Sequence, residues 1–280
     1  MDFSIGKHRL DLLCPKVMGI LNITPDSFSD GGSYCNFGKA LQHAEKMISA
    51  GADIIDIGGE STRPGALPVT EQEEIDRVIP VLESLAKRLE IFISIDTSKP
   101  AVMLEAKKAG AHMINDVFAL RKPGALEAAA KTNLPICLMH MQAHPQNMQQ
   151  SPRYQDVLSE VNAFFEENIA RCLSAGIPKN KLLIDPGFGF GKILNHNYQL
   201  LANLKKFQHF HLPMMVGMSR KSMIDGRPGM LPKEKMIGSI ACAVIAAMKG
   251  AHIIRVHDVK ETVEALHIVN QTKTQIIKNE

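Results

Sequence analysis

The chain is 280 residues long, 45% hydrophobic and 22% charged, with a formal net charge of +3. That balance is ordinary for a soluble globular protein. Lys and Arg lie dispersed among Asp and Glu, with no basic stripe or interleaved aromatics, which argues against a nucleic-acid partner. The five cysteines, Cys14, Cys35, Cys137, Cys172 and Cys242, are scattered and never form C-x-x-C. They suit a reducing cytosol better than a disulfide framework or a zinc site. The N-terminus lacks the apolar core of a signal peptide, and the longest apolar run, residues 236–248, is too short to cross a bilayer. The expectation is a cytoplasmic protein without membrane contact.

Residues 3–13 predict a short hairpin, turning at Gly6-Lys7. The first core strand, "KVMGILNIT" from Lys16, runs into the polar, glycine-bearing stretch "PDSFSDGG". Next come "DIIDIGGEST" from Asp53 and a helix, "TEQEEIDRVIPVLESLAKRL", whose Thr70 and Glu73 have capping-box spacing. Short apolar runs follow at "IFISIDTS" from Ile91, "HMINDV" from His112 and "PICLMH" from Pro135. A second clear helix, "SEVNAFFEENIARCLSAG", stops at Gly176. The last strands are "LLIDPGFG" from Leu182, "PMMVGMSRKS" from Pro213 and "HIIRVHD" from His252. Strands apolar on both sides that alternate with helices mean a parallel sheet covered by helices. Eight of them, with no linker, predict one α/β domain over residues 1–280: a (β/α)8 TIM barrel whose N-terminal β-hairpin plugs the floor. An open doubly wound sheet is the alternative fold.

Polar residues gather where these strands end: Asn22, then Thr62 and Arg63, then Asp96, Asn115, His140, Asp185, Lys221, Arg255 and His257. In a barrel all these ends meet at one mouth, the face where such folds do chemistry. Any single Asp there is most simply a turn or cap residue, as Asp116 and Asp258 can be. So many convergent polar groups would carry a desolvation cost without a ligand. Asp96, Asn115 and Asp185 suit the donor edge of a flat heterocycle, with Lys221 donating to its acceptors and the Arg255 guanidinium stacking on its face. Asn22, Thr62, Arg63, Arg255 and His257 suit phosphate oxygens, and the Asn22 amide oxygen suits a Mg2+ shared with them. Two other patterns fail. "PGFGFGK" at 186–192 matches neither the P-loop nor the dinucleotide fingerprint. His140 and His144 have zinc spacing but follow a strand and lack a third ligand.

The motifs "GILNITPDSFSDGG", "GADIIDIGGESTRPGA", "SIDTSKP", "IND", "LMHMQ", "DPGFGFGK", "GMSRKS" and "RVHDV" resemble those of the dihydropteroate synthase family, across nearly the whole chain. The resemblance implies condensation of 6-hydroxymethyl-7,8-dihydropterin diphosphate with 4-aminobenzoate, giving 7,8-dihydropteroate and diphosphate in folate biosynthesis. It implies that Asp96, Asn115, Asp185 and Lys221 hold the pterin under Arg255, and that Asn22 ligates Mg2+. Thr62, Arg63, Arg255 and His257 would bind the diphosphate. Ser222, expected at the start of the next helix, would hold the aminobenzoate carboxylate, while Phe28, Pro64, Phe190 and the Lys221 stem wall its ring. Asp96, Lys221 and Arg63 would be the catalytic groups. An SN1-like reaction through a pterin cation would require the loops at 22–33 and 62–69 to close out water. The alternatives are the pterin-binding domain of corrinoid-dependent methyltransferases, which needs no diphosphate pocket, and a non-catalytic pterin-binding scaffold. The segment 236–248 is apolar almost all round, which on an outer helix predicts a homodimer, and the family is a sulfonamide target.

Overall fold

The computed structural model describes residues 2–5, 8–24, 33–61, 66–142, 148, 152–225 and 229–277. Two short strands, β1 (Asp2–Ile5) and β2 (His8–Asp11), pair antiparallel. The expected turn at Gly6-Lys7 lies outside the described residues. The barrel strands are β3 (Lys16–Asn22), β4 (Ile54–Gly58), β5 (Phe92–Asp96), β6 (Met113–Asp116), β7 (Ile136–Met139), β8 (Leu182–Asp185), β9 (Met215–Val216) and β10 (Ile253–Val256). They pair in parallel in the order β8-β7-β6-β5-β4-β3-β10-β9. The circle closes where Ile184 bridges Met214 and donates its N–H to Pro213 O at 3.0 Å. The fold is therefore the eight-stranded α/β barrel expected from the sequence.

Among the described residues eight α-helices surround it: α1 (Ser33–Ser49), α2 (Glu71–Arg88), α3 (Pro100–Ala109), α4 (Ala125–Thr132), α5 (Val157–Ser174), α6 (Leu194–Ala202), α7 (Met236–Met248) and α8 (Val259–Ile277). Their ends follow local chemistry. At α2 the Glu73 N–H donates to Thr70 Oγ1 at 3.2 Å and the Thr70 N–H to Glu73 Oε2 at 2.7 Å, a complete capping box. Asp156 caps α5 by accepting from the Leu158 and Ser159 N–H groups. Outward strand residues such as Ile55, Ile57, Ile93 and Ile95 pack with Val78, Leu82 and Phe165 from the helices into a continuous ring of core.

The inward residues explain the site. Because strand side chains alternate faces, each strand presents a stripe of every second residue to the barrel axis. The lowest layer is apolar: Met18, Ile54, Phe92, Met113, Cys137, Leu183, Met215 and Ile253, closed from below by Phe3, Leu10 and Leu12 of the hairpin. Two residues further along the same stripes stand Asp56, Ser94, Asn115, Asp185 and Arg255. On five of the eight stripes the barrel turns from apolar to polar in a single step, while Ile20, Met139 and Gly217 keep the other three non-polar at that level. No described helix is long and apolar enough to cross a membrane.

Two histidines close the strand entrances. His112, one residue before β6, accepts the Ile93 N–H on Nδ1 at 2.9 Å, and His252, just before β10, accepts the Met214 N–H at 3.1 Å. An accepting nitrogen must be unprotonated. Burial, then the neighbouring His8 and Lys107, push the His112 pKa down from 6.5 to about 4. A depressed pKa means stability present above pH 6.5 and lost as pH falls towards 4. His112→Gln, which keeps an acceptor but cannot titrate, is expected to flatten that part of the acid loss, read as the urea midpoint against pH.

Candidate active site

The centre of the polar layer is Arg255, on β10. Its Nε donates to Asp56 Oδ2 of β4 at 2.6 Å, and one terminal nitrogen donates to Asp96 Oδ2 of β5 at 2.6 Å. Asp56 Oδ2 also accepts from Asn115 Nδ2 of β6 at 3.1 Å. Four strands are thus joined across the barrel mouth by one cation and its partners. Asp56 is fully buried, and an ionised carboxylate there needs such a partner. Burial raises the Asp96 carboxyl to about 7, with Arg255 opposing and Asp56 adding to the rise. Burial would lower the Arg255 pKa, but Asp56 and Asp96 overcome it and hold the guanidinium charged. Asn115 Oδ1 and Asp56 Oδ1 are buried with no protein hydrogen-bond partner.

A second group stands on β8 and after β9. Asp185 Oδ1 accepts the Gly187 N–H at 2.7 Å, and burial raises its pKa. Lys221 donates to the Phe188 carbonyl and places its ammonium 4.2 Å from the centre of the Phe190 ring. Burial lowers the Lys221 pKa to about 7, with Asp185 opposing. The loop that offers these partners needs glycine. Gly187 has φ +69°, and a Cβ there would stand 1.8 Å from His140 O. At Gly189, with φ +78°, a Cβ would press on the Lys221 stem at 2.9 Å.

The structure places the remaining candidates unevenly. Asn22 ends β3, with Gly58 of β4 between it and Asp96 of β5: a Cβ added to Gly58 would lie 3.6 Å from Asn22 Oδ1 and 3.7 Å from Asp96 Oδ2. His257 shares the mouth with Ser219, Nδ1 to Oγ at 3.1 Å. Ser222 opens a single 3₁₀ turn, Ser222–Ile224, and not the helix expected there; the next α-helix starts at Met236. That removes most of the macrodipole expected at Ser222, since a single turn aligns few peptide units. Phe28, Thr62, Arg63 and Pro64 lie outside the described residues, as does His144. Asp116 is a turn residue, accepting from the Phe118 and Leu120 N–H groups, and Asp258 pairs with Arg220.

Asp56 escaped the sequence reading, which looked only at strand ends. The signal was a carboxylate inside the otherwise apolar "DIIDIGG", where burial demands a cation. A similar buried cluster flanks the second loop: Lys99 bridges Glu60 at 2.7 Å and the fully buried Glu74.

Residues 18–257 match the family model of pterin-binding enzymes, so the barrel and its mouth are of that class. The chain is 64% identical to the dihydropteroate synthase of Escherichia coli K12 over 263 residues, 94% of this chain and 93% of that one. It superposes on the crystal structure of Yersinia pestis dihydropteroate synthase with a sulfonamide drug at TM-score 0.94 and 63% identity, covering 98% of this chain and all of that one. For the Xanthomonas albilineans dihydropteroate synthase with 4-aminobenzoic acid the values are 0.89 and 48%, with 95% of each chain covered. The chain belongs to the dihydropteroate synthase family.

Removing one carboxylate from a buried ion cluster strands the opposite charge, at a cost of about 3–5 kcal/mol. Because Asp96 still faces Arg255, Asp56→Asn is expected to cost about 3 kcal/mol at pH 8, the lower end of that range, by urea denaturation. Losing the Asp56 charge also lets the Asp96 carboxyl titrate below its present value of about 7, visible as a carboxyl carbon shift in an NMR titration.

Proposed function

We propose that the barrel mouth binds 6-hydroxymethyl-7,8-dihydropterin diphosphate deep in the polar layer and 4-aminobenzoate above it, and joins them with loss of diphosphate. The observation that carries the reading is the meeting of Asp96, Asn115 and Arg255 around one buried point, with the Asn115 amide oxygen lacking a protein donor. A pterin brings the donors such an acceptor needs: its ring N–H and exocyclic amine face Asn115, Asp96 and Asp185. Lys221 donates to the ring acceptors, and Arg255 lies against the ring face, held by its two carboxylates. The single domain thus supplies both substrate sites.

Departure of diphosphate leaves a methylene cation spread into the electron-rich ring, and the aniline nitrogen of aminobenzoate attacks it. No strong base is needed, since the proton leaves after the bond has formed. The chain's task is to stabilise charge on the leaving group and to exclude water from the cation. Arg63, Thr62 and His257 take the phosphate oxygens. Phe190, Pro64, Phe28 and the Lys221 stem wall the aminobenzoate, and Ser222 meets its carboxylate. Asp96 and Lys221 hold the ring in the electronic form that supports the cation.

Mg2+ fits on one condition. Among the described residues no three His, Cys, Asp or Glu side chains form a metal cluster, and Asn22 brings a neutral oxygen to the mouth over Gly58. Such a donor set suits a cation that arrives with its diphosphate better than one held by protein alone. When bound, Mg2+ would neutralise the leaving oxygens. Ile237, Ile245 and Met248 of α7 are exposed, apolar surface suited to the homodimer expected from the sequence.

An assay with both substrates and Mg2+ tests the reaction. Dihydropteroate is expected only with both substrates present, and chelation of the metal should suppress it. Failure to form product with all three would sink the assignment. Pterin binding needs ionised Asp96 and protonated Lys221, each near 7. Affinity, by calorimetry, is therefore expected to rise through about pH 7 as Asp96 ionises and to fall again as Lys221 deprotonates. Lys221→Arg, always charged, should abolish the alkaline limb and leave the acid one.

A further inference from the structure

Lys192 is 3% exposed, touches no carboxylate among the described residues, and is unused by the reaction above. Its Nζ donates to the carbonyls of Gly187 at 2.9 Å and Phe190 at 3.0 Å, and faces His140 Nδ1 at 2.8 Å. The His140 carbonyl stands further off at 3.5 Å, so the amine is ringed by four polar atoms of the loop and of the end of β7. The His140 ring is itself set edge-on against Phe164, with centroids 4.8 Å apart. Burying an amine is costly, burial pushes the Lys192 pKa well down, and an apolar side chain would fill the space more cheaply. What the amine sustains is the shape of one loop.

That loop, residues 187–191, has three glycines at positive φ, of +69°, +78° and +61°. Glycine-rich backbone has little stiffness of its own. The Lys192 amine sits inside its turn, gripping both carbonyls and tying them to the end of β7, while Asn197 braces the far side through the Gly189 N–H at 2.7 Å. The outer edge of the same turn gives Lys221 its Phe188 carbonyl and its Phe190 ring.

We propose that Lys192 is a positioning residue for the aminobenzoate subsite, acting through Phe190 without touching substrate. This rests on the reading that the Phe190 ring walls the aminobenzoate. The test compares Lys192→Met, Phe190→Ala and the double variant of the full chain, with KM for each substrate and a thermal melt. Lys192→Met is expected to raise the aminobenzoate KM about tenfold and to leave the pterin diphosphate KM within about twofold. Because Lys192 acts through the ring, the double variant should be no worse than Phe190→Ala alone. Equal change in both KM values, no change in either, or multiplying effects would overturn the proposal. An unchanged aminobenzoate KM in Phe190→Ala would instead remove the wall reading, and the positioning role with it. Should Lys192→Met fail to fold, His140→Phe keeps the ring volume and deletes one acceptor; the same KM split is expected, and its absence rejects the idea.

Discussion

A single guanidinium inside a barrel governs this molecule. Arg255 could not sit where it does without Asp56 and Asp96, and neither carboxylate could be buried there ionised without Arg255. The cluster links β10 to β4 and β5 across the intervening β3, so it braces the barrel as well as furnishing the mouth. It also fixes what the site can recognise. A planar cation gripped through two of its nitrogens keeps a defined plane, and a flat ligand can lie against that plane with little reorganisation.

The division between floor and mouth follows from the same alternation. One stripe per strand faces the axis; its first member is apolar and meets the hairpin, and on β4, β6, β8 and β10 its second member is Asp56, Asn115, Asp185 or Arg255. Stability and function are thereby separated by only two residues of strand. Substitutions at Phe3 or Leu10 act on packing, far from the substrates, whereas those at Asp56 act on both. That double duty is why a buried ion cluster, a poor source of net stability, is kept at this level.

The sequence disclosed most of this, and its failures have physical causes. The eight strands were legible because strands buried on both faces are written as short apolar runs, and the strand-end polar residues pointed to one mouth. Asp56 was illegible because its meaning is a contact with Arg255, a residue at the other end of the chain. Ser222 misled because the resemblance set it at the start of the next helix, while the chain, with "DGRPG" following, makes one 3₁₀ turn and delays the α-helix to Met236. The "PGFGFGK" segment looked like a failed phosphate loop. Its glycines and lysine serve each other instead, the glycines admitting carbonyls that the lysine then holds.

The charge arrangement also assigns labour within the proposed reaction. Arg255 faces two carboxylates at 2.6 Å, so its positive charge is largely cancelled locally. A departing diphosphate gains little from a cation already neutralised in this way. In that proposal the stabilisation must come from other groups; Arg63, expected from the sequence and outside the described residues, and a metal carried with the phosphates are the candidates. Arg255 would then belong to the pterin more than to the leaving group, and the two halves of the substrate would be held by electrostatically distinct parts of one rim.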